Sequence, residues 1–241
     1  MNKNNLAFLY ECSNEQLRLL VDFMIYDKDG KYRWTEELSS TKGFMDHYPN
    51  NLVEFVPQII DELQKFGGNT IRNAVRGHGV PYREILEKVC NQLNVNYNKG
   101  IDTPLLEQYL LQKILFMSID KMTEEDVQHL SKNQTKEKLI NQIGLLKAGS
   151  PVFIKLITMV IANLAKKWGL QQAANLTARF AGSKAFTIFT GPIGWVLSGL
   201  WTLYDIAGPA YRVIIPCTIT IAYLRIVSEK TTEDELNEIL R

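Results

Sequence analysis

The residues best equipped for chemistry lie in one short stretch, Arg72, Arg76, Gly77, His78, Gly79, Val80, Pro81, Tyr82 and Arg83. Two glycines there can turn backbone amides toward a ligand. Pro81 suits the first position of a following helix, whose amino-terminal end favours an anion. Arg72, Arg76 and Arg83 could clamp a phosphate, a lipid head group or a partner's carboxylate. The plainer reading is a tight interhelical turn whose arginines pair with Glu84, Glu87 or water, and it is preferred because the spacing matches no phosphate-loop pattern.

His78 could move a proton near neutral pH, but His47 and His129 stand at unrelated spacings. Neither a His-x-x-x-His nor a Cys-x-x-Cys pair occurs, nor a nucleophile elbow, so no catalytic residue, metal site or cofactor is assigned. Cys90, beside Val89 on a predicted helix, reads as a buried structural thiol rather than a nucleophile. Asp27, Lys28, Asp29 and Gly30 resemble a calcium loop only superficially. The glycine comes too early and no glutamate closes the loop, so a polar turn is expected.

The carboxy-terminal third is the strongest anomaly. Ala185 to Tyr204 is twenty residues without a charge, and Val213 to Leu224 is twelve more. Gly191 and Pro192 interrupt the first run and leave Pro192 to Ile206 as a clean helix of roughly 22 Å, short of a full bilayer crossing. A second helix from Pro209 to Val227 contains Pro216, which removes one backbone donor and should bend it. The pair reads as a helical hairpin with Gly208 and Pro209 at its tip and Asp205 and Arg212 on either side.

Gly194, Ser198 and Thr202 recur every four residues along that first helix and give one face of small side chains for close backbone approach. Two accounts compete for the hairpin. It is the buried centre of a soluble bundle, the preferred account, or a concealed membrane-insertable element anchored by Trp195, Trp201, Tyr204 and Tyr211.

The elements that must position these residues are helices. Leu17, Leu20 and Met24, and Leu52, Phe55, Val56, Ile59, Ile60 and Leu63, each lie along one helical stripe, and sustained two-residue alternation is absent. Ser13 with Gln16, Thr123 with Asp126, and Thr103 before Pro104 mark helix starts. Gly67 and Gly68 mark a stop suited to a left-handed cap. The spacing predicts helices near 14 to 25, 51 to 66, 69 to 76, 81 to 93, 104 to 120, 124 to 132, 135 to 146, 151 to 167 and 169 to 181. The fold class is all-α, a multi-helix bundle with a carboxy-terminal apolar hairpin.

Gly149, Ser150 and Pro151 separate a mixed-charge region, 1–150, from a basic apolar one, 151–228, followed by an acidic helical tail, 229–241. Between Pro151 and Ser228 there are seven basic residues and one acid, Asp205, which leaves 20 basic and 25 acidic residues elsewhere. Such asymmetry suits an anionic surface. The formal net charge of +1 argues against a nucleic-acid binder. Cys12, Cys90 and Cys217, odd in number and set among apolar residues, make a disulfide framework improbable and fit a reducing compartment. Residues 1–10 carry no secretory pattern, so cytoplasmic residence is expected, with peripheral association at the inner face of the membrane compatible with it.

Three blocks carry a family resemblance: LQKFGGNTIRNAVRGHGVPYREIL at Leu63 to Leu86, TGPIGW at Thr190 to Trp195, and DIAGPAYRVIIP at Asp205 to Pro216. With them the chain, from about Leu6 to about Val227, resembles the uncharacterised bacterial YaaW-like family. Its members are distantly grouped with ubiquinol-cytochrome c chaperone domain proteins. The resemblance implies a helical fold and an assembly-factor role, and it carries over no catalytic residue.

The functional expectation is therefore a non-enzymatic helical protein that binds a protein partner or an anionic membrane surface through 151–228. A chaperone for assembly of a membrane complex is one form of it. The alternative is a stress or defence effector whose hairpin permeabilises membranes. A third, weaker reading is an enzyme or anion-binding protein centred on the Arg76-Gly77-His78-Gly79 loop. The sequence assigns no oligomeric state.

Overall fold

The computed structural model describes residues 3–27, 29–35, 37–68, 79–130, 135–180, 186–188, 190–194, 196, 199 and 210–230. All regular structure among the described residues is helical, with one isolated antiparallel bridge between Tyr26 and Tyr32. A 3-10 segment, Lys3–Glu11, leads into α1 (Asn14–Ile25), the short α2 (Phe44–His47) and a second 3-10 turn, Leu52–Phe55. Then follow α3 (Val56–Gly67), α4 (Tyr82–Gln92), α5 (Thr103–Asp120), α6 (Glu124–Leu130) and α7 (Lys136–Leu145). The last are α8 (Pro151–Lys167), α9 (Gln172–Ala178) and α10 (Tyr211–Lys230), and residues 186–188 and 190–194 are also helical.

Local chemistry sets most boundaries. Ser13 and Gln16 form a reciprocal capping box at α1, and Thr123 and Asp126 exchange the same two bonds at 2.8 and 3.1 Å before α6. Two expected signals act differently. Asp102, not Thr103, caps α5 by accepting the Leu105 N–H at 2.8 Å. The Thr103 hydroxyl instead accepts a 3.1 Å bond from the Asn5 side chain, so tertiary packing takes the group that sequence offers as a cap. Gly68 ends α3 with φ −99° and ψ 158°, an extended rather than left-handed stop. At Gly67 the constraint is space, because an added Cβ would collide with the Ile85 side chain of α4.

The core is built around α10. Val213 to Val227 is buried throughout, and the helix packs against α1, α3, α4, α5, α8 and the amino-terminal 3-10 segment. A helix apolar on all sides must be surrounded or membrane-embedded. The window Tyr211–Ser228 has a mean hydropathy of 1.3, enough to cross a bilayer by composition, yet 83% of it is buried inside this protein. Helices from both sides of residue 150 thus share one apolar core.

Candidate functional site

Of the glycine-loop residues, Arg72, Arg76, Gly77 and His78 lie outside the described residues, while Gly79 and Arg83 are placed. Arg83 Nε donates to Glu87 Oε1 at 2.8 Å and its Nη1 to the Ile101 carbonyl at 2.8 Å. It ties the start of α4 to the loop before α5. At Gly79 an added Cβ would meet the Gln64 backbone at 2.6 Å, and the adjacent Val80 N–H donates to the Gln64 carbonyl at 3.0 Å. Gly79 therefore permits two backbones to touch, a packing demand that also explains a glycine here.

Of the hairpin residues, Trp195, Ser198, Trp201, Thr202, Asp205, Gly208 and Pro209 fall outside the described residues. Gly194 is half-buried at the end of the helical stretch 190–194. Tyr211 and Arg212 open α10, the first half-buried and the second exposed. The other sequence-stretch candidates behave as structure. Asp27 Oδ1 accepts the N–H groups of Asp29 and Lys31 at 2.9 Å each, around Gly30 at φ +72°. These bonds hold its carboxyl below the usual range, Lys31 first. The three thiols are buried, and burial pushes Cys12 up to about 11 and Cys90 up to about 12, and raises Cys217 further. None supplies a thiolate near neutral pH.

Two constellations escaped the sequence. The first is a buried polar knot. Arg225 of α10 donates from Nε to Glu107 Oε2 at 2.5 Å and from Nη2 to Oε1 at 3.2 Å. Tyr82 of α4 donates to Glu107 Oε1 at 2.8 Å. The same Arg225 Nη2 donates to the Asn5 carbonyl, and its guanidinium lies 4.3 Å from the Phe8 ring centroid. Glu107 is 1% exposed and Arg225 7%. A bidentate, fully bonded pair of this kind joins four elements at one point.

The second is an ordered polar loop that displays apolar side chains. The Thr35 N–H donates to Ser39 Oγ at 2.8 Å, and the Ser39 N–H donates back to Thr35 Oγ1 at 3.0 Å. Tyr32 Oη shares a 2.8 Å bond with the same Ser39 hydroxyl and lies 3.3 Å from Met45 Sδ. From α3, buried Glu62 accepts the N–H groups of Glu37 and Leu38 at 2.6 and 3.0 Å. Phe44 is fully buried against Phe55, with ring centroids 5.4 Å apart, and so pins α2 beneath Met45. On this scaffold Tyr32, Trp34 and Met45 are 45%, 67% and 47% exposed. The available signal was a tryptophan amid polar residues, Lys31 to Thr35, on no amphipathic stripe.

Residues 1–34, which end on Trp34, match a family model described as a domain of unknown function, DUF3944. Over 239 residues, 96% of this chain and 94% of the relative, the sequence is 34% identical to a UPF0174 protein of Helicobacter pylori strain J99. The chain belongs to the UPF0174 family. A second UPF0174 protein of that strain is 33% identical over 202 residues, covering 79% of this chain and 96% of the relative. UPF0174 protein YaaW of Escherichia coli K12 is 30% identical over 228 residues, 93% of this chain and 94% of the relative. The YaaW-like resemblance is thereby shown across most of the UPF0174 chain, together with an all-helical fold. No solved structure matches it.

Proposed function

We propose that this protein is a non-enzymatic helical interaction factor whose partner is another protein, docked on the face that carries Tyr32, Trp34 and Met45. The observation behind this is a loop already locked by hydrogen bonds that exposes Tyr32 in contact with Met45, and Trp34 two residues further along. Those side-chain types concentrate at protein interfaces and their hot spots. Order before binding also lowers the entropy lost on docking. An assembly chaperone in the cytoplasm, working beside a membrane, is one form of such a factor.

A photo-crosslinking residue at position 34, in cells, tests it. One defined protein should be captured at 34, lost in a Tyr32→Ala, Met45→Ala background, and absent when the crosslinker replaces Leu145, which is 84% exposed on α7. Equal capture at both positions would sink the proposal.

A second reading, peripheral binding to an anionic membrane face, draws on the seven-to-one excess of basic residues in 151–228. It predicts salt-sensitive binding to anionic vesicles, and binding unaffected by salt would count against it. Permeabilisation by the hairpin is the less favoured mechanism, because withdrawing α10 would open the core and strand the buried carboxylate of Glu107.

A further inference from the structure

A cleft of about 240 Å³ lies between the end of the amino-terminal 3-10 segment, the start of α1, α9 and α10. Its size equals the liquid share of about eight waters, a space for a small metabolite rather than a drug-sized ligand. Its walls divide by chemistry. Leu19, Leu176, Leu224 and Val227 supply apolar lining, and Glu11, Glu15 and Arg179 supply charged lining of both signs.

Two of the polar groups make no hydrogen bond or ion pair among the described residues. Gln172, at the first turn of α9, is 7% exposed and its side-chain amide makes no hydrogen bond, although it lines the cleft. The residue is packed into the protein while its amide opens on the cleft, where a bound polar group could meet it. Arg179 is half-buried on the same cleft and pairs with no carboxylate among the described residues, Glu11 and Glu15 of the same cleft included. Arg83 and Arg225 are both spent on protein acceptors, whereas Arg179 meets no acceptor among the described residues.

We propose that this cleft binds a free α-amino acid with an aliphatic side chain. Arg179 takes the carboxylate in the bidentate geometry a guanidinium favours. Glu11 and Glu15 take the ammonium, Gln172 completes the polar contacts, and the aliphatic group lies on Leu19, Leu224 and Val227. The site is independent of the partner-binding face on the 31–45 loop.

Titration calorimetry of the full-length protein with L-leucine tests it, beside leucinamide, which lacks the carboxylate, and 4-methylpentanoate, which lacks the ammonium. Leucine should bind saturably, and each analogue at least about tenfold more weakly, the loss expected for one charged hydrogen-bonded contact. Arg179→Ala removes a side chain with no hydrogen bond or ion pair among the described residues, should leave the circular dichroism spectrum unchanged, and should weaken leucine at least about tenfold. Gln172→Leu should leave the melting temperature of the free protein nearly unchanged while lowering leucine affinity, a divergence that a purely structural residue would not give. Absence of saturable heat with leucine, isoleucine and valine, or unchanged affinity in Arg179→Ala, would overturn the assignment.

Discussion

Helix α10 and the loop 31–45 are built as inversions of one another. The helix is apolar nearly all round and hides a buried ion pair, Arg225 with Glu107, inside the bundle. The loop is polar in sequence, spends its hydroxyls and amides on itself and on Glu62, and turns Tyr32, Trp34 and Met45 outward. Hydrophobic sequence thus identifies the scaffold here, and the exposed apolar side chains come from a stretch that hydropathy would pass over. The lesson is that burial follows from what surrounds a segment, not from its composition alone.

The sharpest way to break this contrast is at the knot. Arg225→Met leaves Glu107 buried without its cation and should cost about 3 to 5 kcal/mol, read by chemical denaturation. Glu107→Leu combined with Arg225→Met should recover most of that loss, since an apolar pair of similar volume suits this core. A double variant as unstable as the single one would show that the knot contributes more than mutual neutralisation.

Asp22 of α1 provides a second buried carboxylate without such a partner. It is 1% exposed, accepts the Tyr48 hydroxyl at 2.6 Å, and has Arg18 Nε only at 3.9 Å. Burial pushes its carboxyl up to about 6, against the lowering effects of the Tyr48 hydroxyl and Arg18. A carboxyl that titrates higher when folded holds its proton more tightly in the native state. Its contribution is therefore full below about pH 4, the unfolded value, and is lost as pH rises to about 6. Asp22→Asn should match the wild type near pH 4 and exceed it by about 3 kcal/mol at pH 8. Parallel stability profiles for the two proteins would refute that.

On the loop side, the Glu37 and Leu38 amides share Glu62 Oε2, so Glu62→Gln keeps one acceptor oxygen for them but removes its charge and should cost about 1 to 2 kcal/mol. It should also speed hydrogen exchange at 37 and 38 ahead of any change in α10. The smallest stability effect belongs to Trp34→Ala, expected within about 0.5 kcal/mol of wild type because the ring is 67% exposed. A larger loss would mean that Trp34 packs and does not display.

Much of the fold was legible because its signals are local. A hydroxyl and an acceptor three residues apart, Ser13 with Gln16 or Thr123 with Asp126, satisfy orphan amides within one turn whatever lies beyond. The expected helices at 14 to 25, 81 to 93, 104 to 120, 135 to 146 and 151 to 167 match α1, α4, α5, α7 and α8 within a residue or two at each end. Where local rules failed, a distant group had intervened. Asn5 takes the Thr103 hydroxyl, 98 positions away, and Ile85 sets the need for glycine at 67.

By itself, then, the sequence determined helix type, most helix ends, the absence of disulfide spacing and the presence of one apolar helix after residue 209. Those properties depend on neighbours within a turn or on composition. Only the tertiary structure decided that this helix is the centre of the bundle and that Arg225 meets Glu107 across 118 residues. It alone placed Gln172 and Arg179 on a cleft beside Glu11 and Trp34 in water. Each of these depends on which faces the packed helices leave for one another, and no spacing along the chain encodes that choice in a readable form.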